Sequence, residues 1–126
     1  MSETQLIVLN LYTLKGTAEQ FRAAIELLAD RVLREGHPGI QSYLFYVNSD
    51  ERSARAVIDY ENAAAWIGHH EIAMAWPEMR GLHSVATLSE VTFLGQMTPE
   101  IKAWIDRSSL TAKLNTGNQF AAGFRR

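Results

Sequence analysis

Two adjacent histidines, His69 and His70, stand in the stretch AAAWIGHHEIAMAW (63–76), flanked by Trp66 and Trp76 and by small apolar residues. An imidazole with its ordinary pKa of about 6.5 is mostly neutral near pH 7 and can accept a proton, so either histidine is a candidate general base. At about 100° per residue on an α-helix, Trp66, His70, Ala73 and Met74 fall on one side, and His69, Ile72 and Trp76 on its adjoining flank. Glu71, Gly68 and Ala75 point the other way. Read functionally, His70 or His69 faces a pocket walled by Trp66, with Met74 and Trp76 as further substrate contacts. Read structurally, the tryptophans belong to the core and the histidines edge a rim or a subunit contact, the usual meaning of an aromatic stripe at helical spacing. Metal binding is not expected: neighbouring helical histidines diverge by about 100°, whereas a helical ligand pair needs i, i+4 spacing. His83, placed near the start of a later strand, could reach a site at the end of this helix.

Asn10 interrupts the apolar run LIVLNLYTL (6–14). A buried amide costs a few kcal/mol unless its hydrogen bonds are made. Asn10 therefore has either a structural partner or a role in orienting a substrate oxygen or O2. Tyr12, on the same strand face, joins it as a substrate-binding candidate, and Tyr43, Tyr46 and Arg55 are further polar groups for a pocket. The chain has no Ser-His-Asp order, phosphate-binding glycine loop or dinucleotide fingerprint, and Lys15-Gly16 signals nothing by itself.

The elements that must position these residues follow from periodicity. Residues 6–14 read as a strand buried on both faces. Thr17 and Gln20 form a capping box for a first helix, in which Phe21, Ala24, Ile25, Leu28, Val32 and Leu33 recur at helical spacing. Gly36 ends it, and His37-Pro38-Gly39 reverses the chain. Strands over 40–47 and 53–60, joined by NSDE, form a hairpin. Asn62 caps the second helix, which stops or kinks at Pro77. Residues 82–96 read as one long fourth strand, and Thr98-Pro99-Glu100 opens a third helix with Ile101, Trp104 and Ile105 on one face. From Ser108 onward the composition turns to Ser, Thr, Asn, Gly and Ala, an arm that is loose alone or docked on a partner, with Phe120 and Phe124 as its large apolar anchors.

This order, β-α-β-β-α-β, is that of a ferredoxin-like α+β fold, a four-stranded antiparallel sheet with helices on one face. Its first two helix-flanking strands are apolar on both alternating sets of residues, so the second sheet face needs a cover. A two-fold partner presenting the same face is the commonest solution, which predicts a homodimer.

Composition narrows the function. With 126 residues, 47% of them apolar, the chain makes one domain with a proper core: a unit over 1–97 and, over 98–126, a helix and extended arm of the same domain. Twelve basic against 14 acidic residues give a net charge of −2, with no basic block beyond Arg125-Arg126, so nucleic acid is not an expected partner. The absence of cysteine removes disulfides, thiol nucleophiles and Cys-ligated metals. The segment MSETQLIVLNLY lacks the features of a secretory leader, and no stretch approaches the roughly 20 apolar residues of a membrane span; a cytoplasmic protein without membrane contact is expected.

Taken together, LIVLNLYTLKGTAEQF, the HPGI turn, the hairpin ending in DYENAAAW and the Trp-x-x-His of WIGHHE resemble the antibiotic biosynthesis monooxygenase family of the dimeric α+β barrel superfamily, over about residues 5–96. The resemblance implies a pocket between each protomer's sheet and helices, with the second helix as part of its wall. Enzymes of that family include cofactor-free oxygenases of anthrones and quinols and haem-degrading monooxygenases. Many unrelated activities, and several non-enzymes, share the scaffold. For the haem-degrading branch, Asn10 before Lys15-Gly16-Thr17 and Trp66 match the pattern. The axial histidine, however, would stand where this chain has Trp76, and His69 and His70 lie only about one turn from Trp66. The resemblance thus implies a monooxygenase without cofactor, acting on a small electron-rich aromatic such as a quinol, anthrone or polyphenol, with His70 or His69 as base and Asn10 and Trp66 in the site. The alternative is a non-catalytic dimeric ligand-binding module, and haem binding or degradation ranks below both.

Overall fold

A computed structural model describes residues 5–126; the first four residues of the 1–97 unit lie outside it. Among the described residues the order is β1 (Leu6–Leu14), α1 (Ala18–Glu35), β2 (Ile40–Asn48), β3 (Ser53–Tyr60), α2 (Ala63–Ala73), α3 (Pro77–Val85), β4 (Ala86–Leu94), α4 (Pro99–Arg107) and β5 (Lys113–Asn118). Three of the four helices, α1, α2 and α4, start at polar residues that cap them. The Thr17 hydroxyl accepts from the Gln20 amide at 3.1 Å while Gln20 Oε1 accepts from the Thr17 amide at 2.8 Å, a complete capping box. Asn62 caps α2 by accepting from the Ala65 amide at 2.9 Å, and Thr98 caps α4 ahead of a proline at its first turn.

The strands are ordered β2-β3-β1-β4-β5. The first four are antiparallel neighbours in the split βαβ arrangement, but β5 adds a parallel edge strand to β4, so the sheet is five-stranded and mixed rather than four-stranded and antiparallel. A parallel pair needs a crossover connection, and α4 supplies it. The sequence KLNTGN is too polar to read as a strand, and side-chain amides help to hold it. Asn115 Nδ2 donates to Glu90 Oε1 at 3.1 Å and Thr92 Oγ1 at 3.0 Å, and Asn118 Nδ2 donates to the Phe93 carbonyl at 3.0 Å.

Two further expectations are corrected. Residues 82–85 are the end of α3, and the fourth strand begins only at Ala86. Pro77 cannot continue α2 but suits the first turn of a new helix, which buries Met79 and Leu82 at i, i+3 spacing. Leu33 is 86% exposed, one residue past the buried Val32 and so rotated off the packed face of α1.

The core lies between the helices and one sheet face, where Leu6, Val8, Tyr12, Ile58, Tyr60 and Phe93 meet Phe21, Leu28, Trp66, Leu82 and Ile101. On the other face Ile7, Leu9 and Leu11 are half-buried, and Leu44 and Tyr46 are exposed. The arm after β5 returns toward this face, where Arg125 Nη2 pairs with Asp59, the cross-strand neighbour of Ile7, at 3.1 Å. Phe120 and Phe124, 60% and 77% exposed, do not anchor it. No helix among the described residues is long and apolar enough to cross a membrane.

Ile101 is fully buried, so α4 is held by the core and is no loose appendage. Ile101→Ala is expected to lower the unfolding free energy by about 2–5 kcal/mol. Urea unfolding measures this, and a loss below about 0.5 kcal/mol would mean that α4 is not docked in solution.

Candidate active site

A cavity of about 320 Å3 lies between the helix-covered face of the sheet and α2, α3 and α4. It takes Asn10 and Tyr12 from β1, Trp66, His69 and His70 from α2, Met74 from the cap just after α2, His83 from α3 and Trp104 from α4, with residues 108–111 along one edge. The close seat of α2 depends on small residues. A Cβ at Gly68 would collide with the His37 ring, and one at Gly39 would meet the Ala65 side chain at 2.6 Å, so the HPG turn nests against α2 only because both glycines lack one. This packing seats His69 edge-on to Tyr43, with ring centroids 5.4 Å apart.

His70 is fixed more tightly. Its ring stacks on Trp66 at 4.0 Å, and Trp104 meets both rings edge-on, at 5.2 Å from His70 and 5.4 Å from Trp66. His70 Nδ1 lies 2.7 Å from the Trp66 carbonyl oxygen. A carbonyl only accepts, so Nδ1 carries the proton and Nε2 keeps a lone pair. His69 is 3% exposed and its Nδ1 is sealed in without a hydrogen-bond partner.

Burial sets the electrostatics. It pushes the His69 pKa down to about 3, helped by the neighbouring His70 and His37, and pulls His70 down to about 4 against the opposing effect of its bond to the Trp66 carbonyl. Both imidazoles are therefore neutral at pH 7 and far weaker bases than the ordinary histidine assumed from sequence. The tyrosines move the other way. Burial raises Tyr12 to about 12 and also carries Tyr43 and Tyr60 well above the ordinary phenol value, so all three phenols stay protonated. Asn10 Nδ2 donates to the Tyr12 oxygen at 3.2 Å, which leaves the Tyr12 O–H to donate elsewhere. The amide in the apolar strand thus has its partner two residues along the same face.

Seven of the eight sequence candidates, namely Asn10, Tyr12, Trp66, His69, His70, Met74 and His83, line this one cavity; Trp76 does not. α2 ends at Ala73, and Trp76 is the extended residue that precedes α3, so the helical register that placed it beside His69 has lapsed. Its ring instead lies 4.3 Å beneath the Arg31 guanidinium, next to the Arg31–Glu78 ion pair. Of the secondary candidates Tyr43 lines the cavity, whereas Tyr46 and Arg55 are exposed. Sequence reasoning missed Trp104, Tyr60 and Lys15. The apolar face Ile101–Trp104–Ile105 was visible, but not that it docks beside Trp66. Among the described residues no three His, Asp or Glu side chains gather as a metal-binding set.

No protein-family model and no curated protein matches the sequence. Solved structures do match in fold. MupZ from Pseudomonas fluorescens superposes with a TM-score of 0.72 at 15% identity, covering 97% of this chain and 94% of that one. SnoaB, a cofactor-independent oxygenase from Streptomyces nogalater, superposes with a TM-score of 0.59 at 16% identity over 75% of this chain and 95% of its own. SO0527 from Shewanella oneidensis gives 0.57 at 20% identity over 75% and 93%. The likeness is one of fold, an α+β architecture that the chain shares with a cofactor-independent oxygenase and with the other two proteins. The likeness to MupZ takes in α4 and β5, so the arm that lay outside the family pattern in the sequence has a structural counterpart there.

Because the folded protein holds these histidines neutral while the unfolded chain protonates them near pH 6.5, the native state loses stability as pH falls from about 6.5 toward 4. The melting temperature is expected to drop over that range, and to drop less in His69→Phe, which removes one such group. Equal pH slopes in the two proteins would contradict a buried neutral His69.

Proposed function

We propose that the protein is a cofactor-independent monooxygenase that oxidises a small electron-rich aromatic, a quinol, anthrone or polyphenol, with O2. The observation that carries this reading is His70. Its tautomer is set by the 2.7 Å bond to the Trp66 carbonyl, its ring packs against Trp66 with Trp104 edge-on to both, and the residue lines an aromatic-walled cavity. The shared fold with an oxygenase described as cofactor-independent supports it.

In an anthrone-like substrate a CH2 group flanked by aromatic rings enolises. His70 Nε2 takes the enolic proton, with His69 as the second base candidate. An imidazole with a pKa of about 4 accepts that proton only because the enolate left beside it stabilises the imidazolium, an attraction strengthened by the dry surroundings. Tyr12, protonated and already accepting from Asn10, donates to the enolate oxygen. The enolate passes one electron to O2, and radical and superoxide combine at the carbon. The proton returns to give a hydroperoxide, which loses water to leave C=O: one oxygen atom enters the product and the other departs as water. Trp66, Met74 and Trp104 hold the rings and exclude solvent.

The low basicity of the two histidines also favours a second reading, a non-catalytic module that binds the same aromatics through neutral imidazoles. Oxygen uptake with a panel of hydroquinones and anthrones separates the two. Wild type is expected to consume O2 with substrate, and His69→Ala/His70→Ala to do so at least about 100-fold more slowly. An unchanged rate in the double variant removes the histidines from the chemistry, and binding without uptake in wild type favours the module.

We further propose that it works as a cytoplasmic homodimer, with 1–97 and 98–126 forming one domain. The apolar residues Leu9, Leu11, Leu44 and Tyr46 on the open sheet face support the pairing. Sedimentation at micromolar concentration is expected to give twice the chain mass, and the mass of a single chain would contradict it.

A further inference from the structure

Lys15 takes no part in the reaction above, yet its placement is specific. Its backbone amide donates to the Val85 carbonyl at 2.8 Å, and its ammonium donates to the His83 carbonyl, also at 2.8 Å, so backbone and side chain are both tied to the end of α3. This holds the ammonium at the rim of the cavity, beside His83 and Thr87. Lys15 makes no ion pair among the described residues. The rest of the lining contains no Asp, Glu or Arg, and His69, His70, Tyr12, Tyr43 and Tyr60 are uncharged at pH 7. The positive field of Lys15 reaches its neighbour, since His83 is lowered first by burial and then by the Lys15 charge.

A single fixed cation at the mouth of an otherwise neutral, aromatic-walled cavity selects ligands that carry an anion at one end. We propose that Lys15 anchors a carboxylate, or an equivalent anionic group, on the aromatic ligand, whose rings lie between Trp66, Trp104 and the sheet. This deepens the oxygenase reading by naming its substrate class, an aromatic acid with a ring hydroxyl, and it rests on that reading of the cavity as an aromatic-ligand site. The residues order the ligand end to end. Asn10 and Tyr12 lie inside along β1, and Lys15 follows them where β1 leaves the sheet, so ring hydroxyl and acid bind at opposite ends.

Binding tests this without any need for turnover. Quenching of tryptophan fluorescence is measured with 2-naphthol and with 6-hydroxy-2-naphthoate, at low and high salt. Wild type is expected to bind the acid about tenfold more tightly than the naphthol at low salt, with the preference shrinking as salt is added. Lys15→Met is expected to bring the ratio close to one, and Lys15→Arg to keep it. Equal affinities in wild type, or a preference untouched in Lys15→Met, would overturn the anchor while leaving the cavity reading intact. Failure of both probes to bind at millimolar concentration would overturn the two together. An absence of oxygen uptake would refute only the oxygenase.

Discussion

The site depends on removing two imidazoles from water. Burial among aromatic rings makes the charged form of His69 and His70 expensive, by several kcal/mol each at roughly 1.4 kcal/mol per pH unit, and so fixes both as neutral groups throughout the physiological range. A charged His69 beside a charged His70 would also repel it, with ring centroids only 5.1 Å apart. Neutrality is therefore what lets two adjacent histidines share one cavity with three tyrosines. It costs the protein stability at low pH and leaves one nitrogen without a partner, and in the proposed chemistry it makes proton transfer wait for a ligand able to stabilise the resulting charge.

The fold delivers this desolvation from several directions. Tyr12 and Tyr60 close the sheet side, and the missing side chains at Gly39 and Gly68 let α2 sink against the HPG turn. α4 brings Trp104 over the His70–Trp66 stack. The C-terminal segment that looked peripheral thus completes the cavity wall: α4 is buried through Ile101 and Ile105, and residues 108–111 line the edge before β5 ties the chain back to β4.

What could be read from sequence follows the range of the interactions. Capping by Thr17, Asn62 and Thr98 is decided within three residues, and each cap is where the local pattern put it. The order of the first four strands followed from apolar periodicity. Three features rested on longer-range or weaker signals. β5 is paired through its backbone and the amides of Asn115 and Asn118, which leave no hydrophobic pattern. Residues 82–85 could be strand or helix on composition, and Pro77 decides the matter by restarting the helix. Trp76 was assigned to the site by extending a helical wheel past the true end of α2. In the site itself, helical spacing placed Trp66, His70 and Met74 together. It could not supply the degree of burial, and burial changes the histidines from ordinary bases into weak ones.

The most direct test of this account is the state of the His70 ring, read from its 15N chemical shifts in the selectively labelled protein between pH 7 and pH 5. The structure predicts one neutral tautomer throughout, with the proton on Nδ1 and the lone pair on Nε2. A ring that carries its proton on Nε2, or becomes an imidazolium near pH 6, would contradict the neutral, oriented imidazole on which the proposed chemistry depends.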